Sequence, residues 1–111
     1  MPHVAAYVTG HGFGHATRMA AIIGALVERV PDLQVTIVSA VPEWLFRLNL
    51  ASGFSYRARA LDIGVVQEDS IRLDIRATLD AYAALLDGQA VLVEEEANVL
   101  RRARAQLVVA D

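Results

Sequence analysis

The chain has 111 residues, 55% of them apolar and 21% charged, with a formal charge of −3 at pH 7. That is ample material for one compact core, too apolar for disorder and too acidic for a nucleic-acid footprint. Cysteine is absent, which excludes disulfides and thiol chemistry. The first apolar run is too short for a signal peptide or membrane span and lacks a basic flank, so a cytoplasmic protein with no membrane span is the expectation.

Val4–Thr9 is a continuous apolar run leading to glycine and predicts a short, fully buried strand. From His15 to about Val30, Met19, Ile22, Ile23, Leu26, Val27 and Val30 recur at helical spacing, and Pro31-Asp32 ends that helix. Leu33–Val38, rich in β-branched residues, predicts a second buried strand. Pro42 then opens a second helix reaching about Leu50, in which Trp44 and Phe46 are core or interface residues. Ser52-Gly53 breaks it, and Phe54–Leu61 alternates apolar and polar residues like a strand near a sheet edge.

Asp62–Ser70 lacks periodicity and predicts a loop, with Asp69 or Ser70 available to cap the next helix. Ile71, Ile75, Leu79, Tyr82, Leu86, Val93, Ala97 and Leu100 carry one apolar stripe through a long helical region, with a kink or break expected at Gly88. Glu94-Glu95-Glu96 and the group Arg101, Arg102 and Arg104 read as solvated helix surface. Gln106–Ala110 predicts a last buried strand before Asp111.

Alternating strands and helices predict an α/β fold, an open parallel Rossmann-like sheet with flanking helices and right-handed crossovers. Four strands without a final covering helix predict an incomplete domain over residues 1–111. An exposed edge would then favour self-association.

The stretch Thr9-Gly10-His11-Gly12-Phe13-Gly14-His15-Ala16-Thr17-Arg18 is where the chemistry concentrates. It follows the first strand and opens the first helix, and ligands of open α/β sheets bind at such strand ends. Free N–H groups and the helix dipole there favour an anionic or strongly hydrogen-bonding ligand. Glycines let the backbone approach it closely. The dinucleotide fingerprint fails because His15 stands where its last small residue belongs, and a phosphate loop would need a lysine that the chain lacks. His11 and His15 are separated by glycines and have no third ligand nearby, so no metal is expected. A tight turn with one capping and one exposed histidine would be the plain alternative. A histidine at a helix N-terminus also suits a neutral general base or a donor to a sugar hydroxyl.

The stretches "GHGFGHATR", "TIVSAVPEWLF", "LDIGVVQEDS" and "LVVAD" occur in order along the chain. Together they resemble the N-terminal half of the glycosyltransferase-like domain that precedes the sugar-kinase module in some L-arabinokinases and also occurs in stand-alone bacterial proteins. More distantly, the glycine-rich turn resembles that of the N-acetylglucosaminyltransferase that makes lipid II. This resemblance implies a GT-B fold, two Rossmann-like halves facing across a cleft. The N-terminal half would recognise a sugar or lipid-linked acceptor. The absent half would bind a nucleotide sugar, most simply a uridine diphosphate sugar. No metal or other cofactor is implied.

On that resemblance His15 is the candidate base for the acceptor hydroxyl, while His11, a further binding candidate in the loop, has no counterpart in the peptidoglycan enzyme. The backbone of Gly12 and Gly14 would approach the ligand, and Arg18, one turn into the helix, would neutralise a phosphate or else lie on the surface. Gln67 and Asp69 would bond sugar hydroxyls if their loop covers the cleft. Asp111, at a strand end, is a further binding candidate. The rival functions are a non-catalytic sugar-binding regulatory domain and a simple nucleotide-binding module.

Overall fold

A computed structural model describes residues 1–51, 53–62, 67–69 and 71–111. The elements in chain order are β1 (His3–Val8), α1 (Gly14–Arg29), β2 (Gln34–Ser39), α2 (Glu43–Asn49), β3 (Ser55–Ala58), α3 (Ile75–Ala103) and β4 (Leu107–Ala110). Ser52, in the expected helix break, and Ile63–Val66 and Ser70, in the expected loop, lie outside the described residues. The four strands form one parallel sheet in the order β3-β2-β1-β4.

The strand order dictates which face each helix covers. From β1 to β3 the chain steps in one direction, and right-handed crossovers put α1 and α2 on one face. It then jumps back over the sheet to β4, so the same handedness puts α3 on the other. Alternation along the strands supplies each face with its side chains. Ala6, Val8, Val35 and Ile37 pack with Ala16, Met19, Ala20 and Ile23 of α1 and with Leu45 and Phe46 of α2. Ala16, Met19, Ala20 and Ile23 follow the helical repeat, whereas Ile22, expected on that stripe, is exposed. Phe46 is fully buried and touches the rings of Phe54 and Tyr56. Burial of such a side chain contributes about 2 kcal/mol. Trp44 does not join this core; it stands half-exposed, edge-on to Phe13 with ring centroids 5.9 Å apart.

The α3 face is held by polar contacts. His3 is buried between its Nδ1 contact with the Ala103 carbonyl (2.9 Å) and its Nε2 contact with the Thr36 hydroxyl (2.8 Å). Glu96, expected on the solvated surface, is instead buried. It accepts from both terminal nitrogens of Arg57 (2.7 and 2.9 Å), from Arg59 (3.0 Å) and from the Tyr7 hydroxyl (3.0 Å). Helical spacing turns Glu96 toward the sheet while Glu95, its neighbour, remains exposed and pairs with Arg59. Arg101, Arg102 and Arg104 are exposed as expected.

Helix α3 runs without interruption through Gly88, where a kink or break was expected. Its 29 residues span about 44 Å, whereas strands of four to six residues span about 20 Å at most. The helix therefore overshoots the sheet, and Ile75, Leu79, Tyr82 and Leu86 of the expected apolar stripe are exposed. An apolar cavity of about 430 Å³ lies between α3 and the sheet, with Leu85, Leu92, Leu100 and Val108 in its wall. Strand β4 is not buried as expected. It is an edge strand with Leu107 and Val108 exposed and only Val109 against the core.

Candidate active site

The reversal of direction lies between β1 and β4: the chain leaves β1 for α1 on one face and reaches β4 from α3 on the other. Such a switch point leaves a crevice at the carboxyl ends of the strands. The loop after β1 borders it on one side and Asp111, directly after β4, on the other. Backbone bonds pin the two together: Asp111 N–H donates to the Tyr7 carbonyl (2.9 Å), and Thr9 N–H donates to the Asp111 carbonyl (2.7 Å).

The loop itself is shaped by two of its glycines. A Cβ on Gly10 would lie 2.8 Å from the Ala40 Cβ, so the loop can lie against the end of β2 only with glycine there. Gly12 has φ +82°, a left-handed conformation that side chains disfavour. These two turns bring the chain to Phe13 and start α1 at Gly14. Its N-cap, Phe13, contributes no side-chain bond, and no acid occupies the first turn.

Three of the expected site residues meet here. His15 Nδ1 lies 3.1 Å from Asp111 Oδ1. Arg18, one turn further along α1, donates from Nε to Asp111 Oδ2 (2.9 Å) and from Nη2 to Asp111 Oδ1 (2.7 Å). Nη2 also stands 3.1 Å from His15 Nδ1. The Arg18 bonds, and secondarily the His15 contact, hold the Asp111 carboxyl below its ordinary pKa. Arg18 is exposed, as in the surface reading, and its guanidinium pairs with this carboxylate.

The remaining candidates are not in this cluster. His11 Nε2 faces Asp62 Oδ1 at 3.7 Å, both side chains about half-exposed. Gln67 forms an isolated antiparallel bridge with Leu73. The Asp69 carboxylate accepts from the backbone of Ile71 and Arg72, each at 2.8 Å, and so shapes its own turn. The cap of α3 is Asp74, which accepts from Ala77 N–H (2.8 Å), and not Asp69. A cavity of about 180 Å³ opens beside the cluster, bounded by Thr9, Arg59, Asp62 and Asp111 among others. Thr9 Oγ1 is buried there without a hydrogen-bond partner among the described residues. Sequence reasoning passed over Thr9, Asp62 and Arg59, since a lone polar residue beside a strand end carries no spacing signal. No group of three His, Cys, Asp or Glu side chains among the described residues could hold a metal ion.

The chain and its fold have matches among known proteins. L-arabinokinase from Arabidopsis thaliana is 36% identical over 107 residues, covering 95% of this chain and 10% of that protein. The crystal structure of a UGT transferase from Siraitia grosvenorii in complex with UDP superposes on the whole chain with a TM-score of 0.57 at 20% identity. The chain is related to L-arabinokinase and has the Rossmann-like α/β fold of part of the transferase. It spans about a tenth of the arabinokinase and 23% of the transferase. No protein-family model matches it. No described helix is long and apolar enough to cross a membrane.

Proposed function

We propose that the domain forms the acceptor side of a glycosyltransferase cleft, in which His15 deprotonates the acceptor hydroxyl and Asp111 orients His15. The His15–Asp111 contact at the switch point carries this reading. With Nδ1–H donated to the carboxylate, the lone pair of Nε2 is left to take a proton, and the carboxylate stabilises the imidazolium that forms. The acceptor oxygen then bonds to the anomeric carbon of the donor. The bond from that carbon to the diphosphate breaks, and nucleoside diphosphate leaves with the electron pair. The UDP carried by the Siraitia transferase supports a uridine diphosphate sugar as donor, held by a second half. Gly12 and Gly14 would let the loop approach the ligand, while His11, Asp62, Gln67 and Asp69 would line the outer rim.

The test uses the full product of the coding sequence that holds this chain. It is offered a panel of nucleotide sugars with pooled sugar and lipid-linked acceptors, and nucleoside diphosphate release is followed. Release from one donor, lost in His15→Ala with the fold intact, is expected. Equal release in both proteins removes His15 from the chemistry. Sugar binding without release from any donor makes the domain a binding module instead.

A further inference from the structure

The contact between Arg18 and Asp111 has a role separate from binding a phosphate. Asp111 Oδ1, Arg18 Nη2 and His15 Nδ1 form a nearly equilateral triangle with sides of 2.7, 3.1 and 3.1 Å. Its angle at Nη2 is much narrower than the spread between the two hydrogens of one guanidinium nitrogen, so Nη2 cannot serve both partners well. The shorter, charge-assisted bond to the carboxylate takes the hydrogen. Nδ1 is then left to carry its own proton and donate it to the same oxygen. Meanwhile Arg18 Nε holds Oδ2 at 2.9 Å, so the carboxylate is gripped at both oxygens by a planar fork.

We infer that Arg18 is a positioning residue: its two-point grip fixes the Asp111 carboxylate so that His15 is held as the Nδ1–H tautomer, which leaves the Nε2 lone pair free. This rests on the transfer reading above for its purpose, but not for its geometry. The charged groups facing His15 are Arg18 from its own helix and Asp111 from the end of β4. The other nearby loop pair, His11 with Asp62, closes on itself. Released from Arg18, the carboxylate of Asp111 is free to rotate toward solvent. His15 then reverts to the Nε2–H tautomer that a free imidazole prefers, and the basic lone pair points the wrong way.

The experiment is nitrogen-15 NMR of the His15 ring in the full product of the coding sequence that holds this chain, at alkaline pH, where an ordinary imidazole is neutral. Wild type is expected to show Nδ1–H, and Arg18→Gln a majority of Nε2–H. Arg18→Lys restores the charge without the fork and is expected to resemble Arg18→Gln. Arg18 is exposed, so the amide spectrum away from the first turn of α1 should stay unchanged. Nε2–H in wild type, or an unchanged tautomer in Arg18→Gln, overturns the inference; full recovery by lysine replaces the grip with a charge effect and overturns it too. In the full protein, Arg18→Gln is expected to lower kcat about 10- to 100-fold at constant KM. The ring tautomer is read without any transfer reaction, so absence of transfer and failure of the grip are separate results.

Discussion

His15 Nδ1 and Asp111 Oδ1 are 3.1 Å apart although 96 positions separate them in the chain. The contact exists because the crossover through α3 returns the chain to the far side of β1. It makes a direct prediction. Asp111→Asn keeps the shape of the side chain but offers an amide in place of a carboxylate, which favours the wrong tautomer and does not stabilise an imidazolium. Transfer by the full protein is expected to fall by about 10³-fold, with little change in KM. Steady-state kinetics against His15→Ala check it, and a double variant no worse than His15→Ala alone would show that the two act as one unit. An Asp111→Asn protein of normal activity would exclude the dyad.

Much of this was legible in the sequence where a signal is local. The continuous apolar run of β1 and the helical spacing of Met19, Ile22, Ile23, Leu26, Val27 and Val30 identify β1 and α1 within a residue or so. The signals that failed are those decided by a partner elsewhere. Glu96 looks like one of three equivalent acids until Arg57, 39 positions away, is placed beneath it. The apolar β4 reads as buried because composition does not show that it lies at an edge. The stripe on α3 does not reveal that the helix is longer than the sheet it crosses. At the site, His15, Arg18 and Asp111 were separately identifiable as candidates, but only the strand order joins them.

The loop glycines separate folding from ligand approach. Gly10→Ala forces its Cβ against Ala40 and is expected to destabilise the fold by about 1–3 kcal/mol. Gly12→Ala retains an unfavourable positive φ and is expected to cost about 1 kcal/mol. Gly14 differs, because nothing lies within 4 Å of a Cβ there and the residue opens α1. Gly14→Ala should therefore unfold no more easily than wild type in urea, and even gain up to about 1 kcal/mol. If the Gly14 backbone approaches the ligand, the same variant loses transfer despite its stability. A fully active Gly14→Ala would move the ligand away from this turn.

The Glu96 network predicts where the domain is most sensitive away from the site. Glu96→Ala leaves Arg57 half-buried beneath α3 without its carboxylate and is expected to cost about 3 kcal/mol in urea unfolding. The pH dependence has a definite sign. Arg57 above all, with help from Tyr7 and Arg59, lowers the Glu96 pKa in the folded state despite burial. A lowered carboxyl pKa contributes stability above the unfolded carboxyl pKa, and that contribution disappears as pH falls through the folded value. Stability measured down the acid limb should therefore decline more steeply in wild type than in Glu96→Gln. Parallel acid limbs would mean that Glu96 contributes packing alone.

At the alkaline end the same cluster acts through Tyr7. Burial, reinforced by the adjacent Glu96 carboxylate, pushes the Tyr7 phenol from 10.0 up to about 12. A raised folded pKa means that the protonated phenol is the form the fold favours. Its contribution is complete below the unfolded value near 10 and is lost as pH rises toward about 12. Two pH units of preference correspond to about 2–3 kcal/mol at the upper limit, less where water screens the hydroxyl. Tyr7→Phe removes the ionisation together with the 3.0 Å bond to Glu96. It should therefore be less stable than wild type at neutral pH, yet lose less on alkaline titration. Tyr56, which is also raised by burial, remains in both proteins, so the difference between the two urea curves isolates Tyr7. Phenolate absorbance gives the independent check: wild type should retain a late-titrating tyrosine that the variant lacks. A difference in stability that stays constant from neutral pH to about pH 12 would show that Tyr7 ionises as readily folded as unfolded, and would remove it from the alkaline transition.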